Sequence, residues 1–69
     1  MNNFSNNLKQ LRLKKGLTQE ELAKRLDKNY TTIGKWEKGI RSPILDDLIK
    51  LADIFGITID KLVRSDFNE

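Results

Sequence analysis

Sixty-nine residues with no cysteine and no histidine make one small domain, with neither disulfides nor the usual imidazole and thiolate metal ligands to brace it. A chain this short buries only about 60% of the surface its unfolded form exposes, which leaves helix packing and a partner subunit as the sources of stability. The net charge of +3 hides an uneven split: residues 1–41 carry ten Lys/Arg and four Asp/Glu, net +6, whereas residues 42–69 carry three and six, net −3. A cationic half of this kind suits a polyanion. No apolar run approaches the roughly 18 residues that cross a bilayer, and the start Met1-Asn2-Asn3-Phe4 lacks the basic then apolar pattern of a secretory signal, so a cytoplasmic protein with no membrane partner is expected. Without Cys, His or an inward carboxylate pair facing a pocket there is no evident nucleophile, metal site or tuned acid and base. The expectation is a protein that is not an enzyme, holds no metal or other cofactor and shows no site for a small-molecule ligand.

The first helix is expected from Phe4 to Lys15. Phe4, Leu8, Leu11, Arg12 and Lys15 share one face, Ser5 or Asn3 is available as the cap, and Gly16 sits where a left-handed C-terminal residue belongs. Arg12 is turned toward the apolar side, where an unpaired guanidinium is costly. A second helix follows over Gln19–Leu26. Thr18 and Glu21 have capping-box spacing, Leu17 and Leu22 flank that box as a staple, and Leu22, Ala23 and Leu26 form one apolar stripe. Asp27-Lys28-Asn29 then breaks the pattern, with Asn29 placed to cap a third helix over Tyr30–Lys38 that Gly39 ends.

In that third helix, at about 100° per residue, Ile33, Trp36, Glu37 and Ile40 fall on one face and Thr31, Lys35 and Lys38 on the other. One side packs and the other is polar and cationic. A short helix of this kind, carried against a scaffold helix across a tight turn, fits a DNA major groove about 12 Å wide. Trp36 invites a base-stacking role, yet it lies on the packing side and is expected in the core. Glu37, like Arg12, is a charge directed inward, and the two are read as one pair tying the first helix to the third.

The loop Gly39-Ile40-Arg41-Ser42-Pro43 leads to a fourth helix that runs to about Phe55. Pro43 suits its first position with Ser42 as the cap, and a start one or two residues later is equally allowed. Its wide apolar face, Ile44, Leu45, Leu48, Ile49, Leu51, Ala52 and Phe55, marks it as the expected central packing element. Gly56 ends it, Thr58 caps a short fifth helix, Ile57 and Leu62 have staple spacing, and Ile59 and Val63 add apolar area. Residues 65–69 read as a frayed tail of a single domain spanning 1–69. Leu13 and Ile54 point away from the main apolar faces of their helices, and Ile54, with the fifth helix or Phe67, is one available dimer contact.

Taken together, Leu8-x-x-Leu11-Arg12, Gly16-Leu17-Thr18-Gln19-x-Glu21-Leu22-Ala23, Thr32-Ile33-x-Lys35-Trp36-Glu37-x-Gly39, Leu51-Ala52 and Gly56-Ile57 resemble the helix-turn-helix DNA-binding domains of the phage repressor and Cro class, the XRE family. The resemblance covers nearly the whole chain. It implies an all-α, compact five-helix bundle of the lambda-repressor-like type, in which the second and third helices form the helix-turn-helix. The function it implies is a transcriptional regulator, as a rule a repressor, that binds a palindromic double-stranded DNA operator as a homodimer.

Residue by residue, the resemblance puts Gln19 against the DNA backbone or a flanking base. Tyr30, Thr31 and Lys35 face base edges, Asn29, Thr32, Lys38 and Arg41 hold phosphates, and Arg12 with Glu37 matches a structural ion pair. The chemistry agrees: Lys35 can donate to guanine O6/N7 or a phosphate, Thr31 can hydrogen-bond or set its methyl against thymine, and Gln19 opens a helix whose amides suit a phosphate. Tyr30 has the alternative of packing over the turn. Two positions depart from the family pattern: Asp27 stands where many relatives have glycine, and Gly34 lies inside the third helix, either as a tolerated surface residue or as a gap that lets the helix sit deeper in the groove. A protein-interaction module of the same fold, such as an antitoxin that also autoregulates its promoter, is the rival reading.

Overall fold

A computed structural model describes residues 3–67. Five helices follow one another: α1 (Phe4–Lys14), α2 (Gln19–Leu26), α3 (Tyr30–Lys38), α4 (Leu45–Phe55) and α5 (Ile59–Arg64), with no strand among the described residues. Local chemistry accounts for most of the boundaries. The Thr18 hydroxyl accepts from the Glu21 N–H at 3.0 Å while the Thr18 N–H donates to Glu21 Oε1 at 2.8 Å, a reciprocal box that starts α2. Asn29 Oδ1 accepts from the Thr31 N–H and starts α3, and Thr58 accepts from the Lys61 N–H and starts α5. At the other ends Asp27 takes a left-handed backbone at φ 56° to close α2, and Gly39 does so at φ 75° to close α3. Asp27 adopts that conformation less readily than glycine, and its polar side chain is among the few that tolerate it.

The core is built from Phe4 and Leu8 of α1, Leu22, Ala23 and Leu26 of α2, Ile33 and Trp36 of α3, Leu51 of α4 and Leu62 of α5. Trp36 is 2% exposed and meets the Phe4 ring edge-on at 6.4 Å between centroids, so it packs rather than stacks on bases. Helix α3 lies against both α2 and α1, and α5 closes the far side against α1 and α4.

The fourth helix departs from the expectation. It begins at Leu45, not Pro43: Ile44, at ψ 169°, is the extended residue before it, and Ser42 caps nothing. The later start puts Asp46 and Asp47 in the first turn, next to the positive end of the helix dipole. Nor is α4 the central packing element. Leu51 and Ala52 are buried and Leu48 and Phe55 half-buried, but Ile44 is 64%, Leu45 63% and Ile49 42% exposed, because only one side of α4 meets the bundle. Ile40 is exposed too, since the left-handed turn at Gly39 takes the chain off the helical rotation that would have carried it inward. Ile54 packs against the core instead of pointing away from it, and Lys15 lies exposed beyond the end of α1.

Helix α1 has no side-chain cap from Ser5 or Asn3; the Asn3 carboxamide donates instead to Arg64 O and Ser65 O. Asn7, fully buried, donates to Leu62 O at 2.9 Å and Ser65 O at 2.5 Å and accepts from the Phe67 N–H at 3.3 Å. Residues 65–67 of the expected frayed tail are thereby tied to α1, and residues 68 and 69 lie outside the described residues.

Candidate nucleic-acid interface

Helix α3 is held from behind. Ile33 and Trp36 anchor it in the core, and Glu37 turns inward to Arg12, whose Nε donates to Oε2 at 2.6 Å and whose Nη2 donates to Oε1 at 3.1 Å. Arg12 Nη1 donates to Leu17 O at 2.9 Å, so one guanidinium clamps α1, the entry to α2 and α3 together. Both side chains are under a tenth exposed, which makes this a buried pair with its donors used.

Glu37 also holds a residue that borders the outer surface. Its Oε1 accepts from Gln19 Nε2 at 3.1 Å, so the half-buried Gln19 carboxamide is fixed by the same carboxylate that receives Arg12. Because a carboxylate only accepts, the Gln19 amide nitrogen is turned to Glu37, and Oε1 with the second N–H is left over. Gly34 lies directly beside that carboxamide: a Cβ there would stand 3.7 Å from Gln19 Oε1 and 3.8 Å from Nε2, in ordinary contact. The sequence offered no sign of the Gln19 to Glu37 bond, which joins residues 18 positions apart on two helices.

The front of α3 is open. Tyr30, Thr31, Lys35 and Lys38 are all exposed, and with Gln19, Gly34 and Ile40 they line a shallow groove of about 330 Å³. Asn29 Oδ1 is taken by the Thr31 N–H and Oγ1, both at 3.0 Å, which leaves the Asn29 amide N–H groups free to donate outward and turns the Thr31 hydroxyl back on its own cap. Thr32 and Arg41 of the expected set do not line this groove. Thr32 is half-buried, and Arg41, although exposed, borders a separate cavity of about 180 Å³ with Ser42, Pro43, Phe4 and Val63. Of the residues singled out from sequence, the structure thus gathers Gln19, Tyr30, Thr31, Lys35 and Lys38 on one surface, with Asn29 at its start.

Two structural residues gave little sequence signal. Asn7 is polar on the flank of an apolar face, and nothing in a helical pattern says that it will meet open carbonyls at the end of α5. Asp47 is 5% exposed, and its Oδ1 meets Lys28 Nζ at 3.5 Å, joining the turn before α3 to the start of α4. The Thr18 N–H, followed by the Thr18 hydroxyl and the nearby Arg25 and Lys24, holds the Glu21 carboxyl below the usual glutamate range.

A helix held this way, with donors displayed on its outer face across a turn from a second helix, is the geometry of a groove-reading element. The helix-turn-helix family model matches residues 8–62, most of the chain. The chain is an XRE-type helix-turn-helix domain. This helix-turn-helix domain is 41% identical over 63 residues to the HTH-type transcriptional activator BcrR of Enterococcus faecalis, covering 91% of this chain and 31% of that protein. It is 38% identical over 60 residues to the cryptic phage CTXphi transcriptional repressor RstR of Vibrio cholerae, covering 87% of this chain and 54% of that one. In three dimensions it is similar to a transcriptional regulator from Listeria innocua, with a TM-score of 0.88 at 29% identity over all of this chain and 67% of that one. The helix-turn-helix domain thus spans about a third to just over half the length of these two sequence relatives, which are regulators of transcription. Among the described residues no helix is long and apolar enough to cross a membrane.

Proposed function

We propose that this domain is a sequence-specific, double-stranded DNA-binding transcriptional regulator that lays α3 in the major groove of an operator. The observation that carries the reading is the open polar front of α3, where Thr31 and Lys35 face solvent while Ile33 and Trp36 hold the helix from behind. Lys35, Thr31 and Tyr30 meet base edges, Gln19 approaches the backbone or a flanking base, and Asn29, Thr32, Lys38 and Arg41 bind phosphates. Asn29 is suited to that task because its cap uses only the carbonyl and leaves the amide as donor. The Thr32 N–H is already bonded to Asn29 O at 3.0 Å, so it is the half-exposed Thr32 hydroxyl that reaches a phosphate.

A single copy reading four or five base pairs lacks the specificity to find one site in a genome, so the operator is two-fold and two copies bind it with α3 elements about 34 Å apart. Selection of bound duplexes from a random pool, followed by sedimentation of the complex, tests the reading. A selected site of two inverted half-sites carrying two copies is expected. Absence of any preferred sequence, or a lone copy on an asymmetric site, overturns it.

A further inference from the structure

Helices α1, α4 and α5 and the loop from α3 to α4 leave a half-enclosed cavity of about 180 Å³ between them. Its apolar wall is made by Phe4, Pro43, Leu48 and Val63. Ser5, Arg41 and Ser42 line the rest, and Gly39 puts no side chain into the space, since a Cβ there would stand 3.6 Å from Ser5 Oγ. None of the described lining residues is acidic, and Arg41 has no carboxylate partner among the described residues. We infer that this cavity binds a small monocarboxylate with an apolar body of about one ring, its carboxylate on Arg41, and that the bound acid draws Arg41 off the operator.

Size selects the body. A cavity of about 150 Å³ lined by apolar side chains holds a benzene ring, so this one takes a single ring or a branched chain of similar bulk and nothing much larger. Charge selects the head. The guanidinium fork matches a carboxylate through two parallel N–H···O bonds, and a serine hydroxyl can donate to whatever oxygen lone pair remains. One arginine offsets one negative charge; a phosphate dianion would bring a second with nothing on these walls to meet it, and a cation would face Arg41 directly. The sequence shows no small-molecule site because the walls come from positions between 4 and 63 that meet only in the folded chain. The regulatory half of the inference rests on the assignment of Arg41 to a phosphate above. A guanidinium held by a carboxylate is lost to that phosphate, so acid and operator each weaken the binding of the other.

Benzoate is the probe, with acetate as the head without the body and benzyl alcohol as the body without the head. Titration of the nitrogen-15-labelled domain is expected to give saturable shifts centred on the Ser42, Leu48 and Val63 amides, with a Kd of roughly 1 mM. Acetate, benzyl alcohol, and benzoate on the exposed-loop variant Arg41→Ala are each expected to bind roughly tenfold more weakly. No saturation by about 20 mM, shifts centred elsewhere, or equal affinity for benzoate and benzyl alcohol overturns the site. On a selected duplex, at ionic strength matched with chloride, saturating benzoate is expected to weaken binding and to lower the slope of log K against log salt by about 0.9 per copy, as Arg41→Ala does, and to add nothing to that variant. Benzoate that fills the cavity yet leaves the wild-type slope alone, while Arg41→Ala lowers it, overturns the competition. An Arg41→Ala slope equal to that of the wild type overturns the phosphate assignment and the competition with it, and the titration without DNA then decides the cavity by itself.

Discussion

Arg12 and Glu37 form a two-pronged ion pair from α1 to α3, Nε to Oε2 at 2.6 Å and Nη2 to Oε1 at 3.1 Å, with side chains 9% and 5% exposed. Removing one member strands the other, so Arg12→Ala is expected to cost about 3–5 kcal/mol. That is a large share of the stability of a domain this size and is measured as a lower urea midpoint at unchanged slope. The double change Arg12→Met, Glu37→Leu is expected to recover only part of the loss, because it removes both charges and keeps the volume but still takes a partner from Leu17 O and from the Gln19 carboxamide. A single variant as stable as the wild type would show that the pair carries no structural role.

Asn7 joins the other end of the molecule. Its carboxamide donates to Leu62 O and Ser65 O and accepts from the Phe67 N–H, closing the terminus of α5 onto α1. Asn7→Leu leaves these backbone groups without partners and is expected to cost about 1–3 kcal/mol. Because the lost bonds hold residues 65–67, faster hydrogen exchange at the Phe67 amide should accompany the change. Unaltered exchange there would mean that the tail is held by something else.

The difference between what could be read from the sequence and what could not is physical. Caps at Thr18, Asn29 and Thr58 are local and followed from residue type and spacing, whereas Asn3, Ser5 and Ser42 have the same chemistry and cap nothing, Asn3 because its carboxamide is taken by carbonyls beyond α5 and Ser42 because α4 starts three residues later. Arg12 and Glu37 were legible because both are charges on apolar faces, opposite in sign. Asn7 and Asp47 were not, because a polar residue beside an apolar stripe looks like an ordinary boundary until its distant partner is known. The apolar content of α4 was plain, but periodicity says which residues share a face and not whether anything covers it. In a domain this small the bundle runs out before that face is covered, leaving Ile44, Leu45 and Ile49 exposed. The open front of α3 followed from its pattern, whereas the bond that fixes Gln19 there depends on how α2 is seated against α3.

The capping box sets a pH dependence. The Thr18 N–H, with the Thr18 hydroxyl and the Arg25 and Lys24 charges, depresses the Glu21 carboxyl in the folded state. A folded value below the unfolded one means stability that is fully present above the ordinary glutamate value, about 4.3, and that disappears as pH falls through the lower folded value. Glu21→Gln removes this term, so the wild type's advantage in urea midpoint should be constant near neutral pH and shrink below about pH 4.3. An advantage that grew on acidification would contradict the sign.

Gly34 tests how tightly the groove is built. Its would-be Cβ meets only the Gln19 carboxamide, at 3.7 and 3.8 Å, so alanine fits without displacing anything and removes the entropy cost of glycine in a helix. Gly34→Ala is expected to gain about 1 kcal/mol, or roughly 4–8 °C in Tm for a domain of this size. If the residue is merely a tolerated gap, operator affinity stays the same. If the gap admits the DNA backbone or Gln19 must move on binding, the more stable variant binds more weakly, and fluorescence anisotropy on a selected duplex distinguishes the two.

The last prediction separates reading from holding. Lys35 lies within the open groove of α3, while Arg41 sits on the loop beyond Gly39, outside that groove. A base-contacting side chain discriminates among sequences, whereas a phosphate-contacting one binds all duplexes alike and releases a counterion. Lys35→Ala is therefore expected to relax preference at one base pair of each half-site, by about 1–3 kcal/mol of discrimination. Arg41→Ala should weaken specific and random duplexes by the same factor and reduce the slope of log K against log salt by about 0.9 per copy. Titrations at several salt concentrations on the selected site, its single-base variants and a random duplex measure both quantities. Equal and salt-independent losses for the two variants would leave neither residue on the DNA and would take the operator-facing assignment of α3 with them.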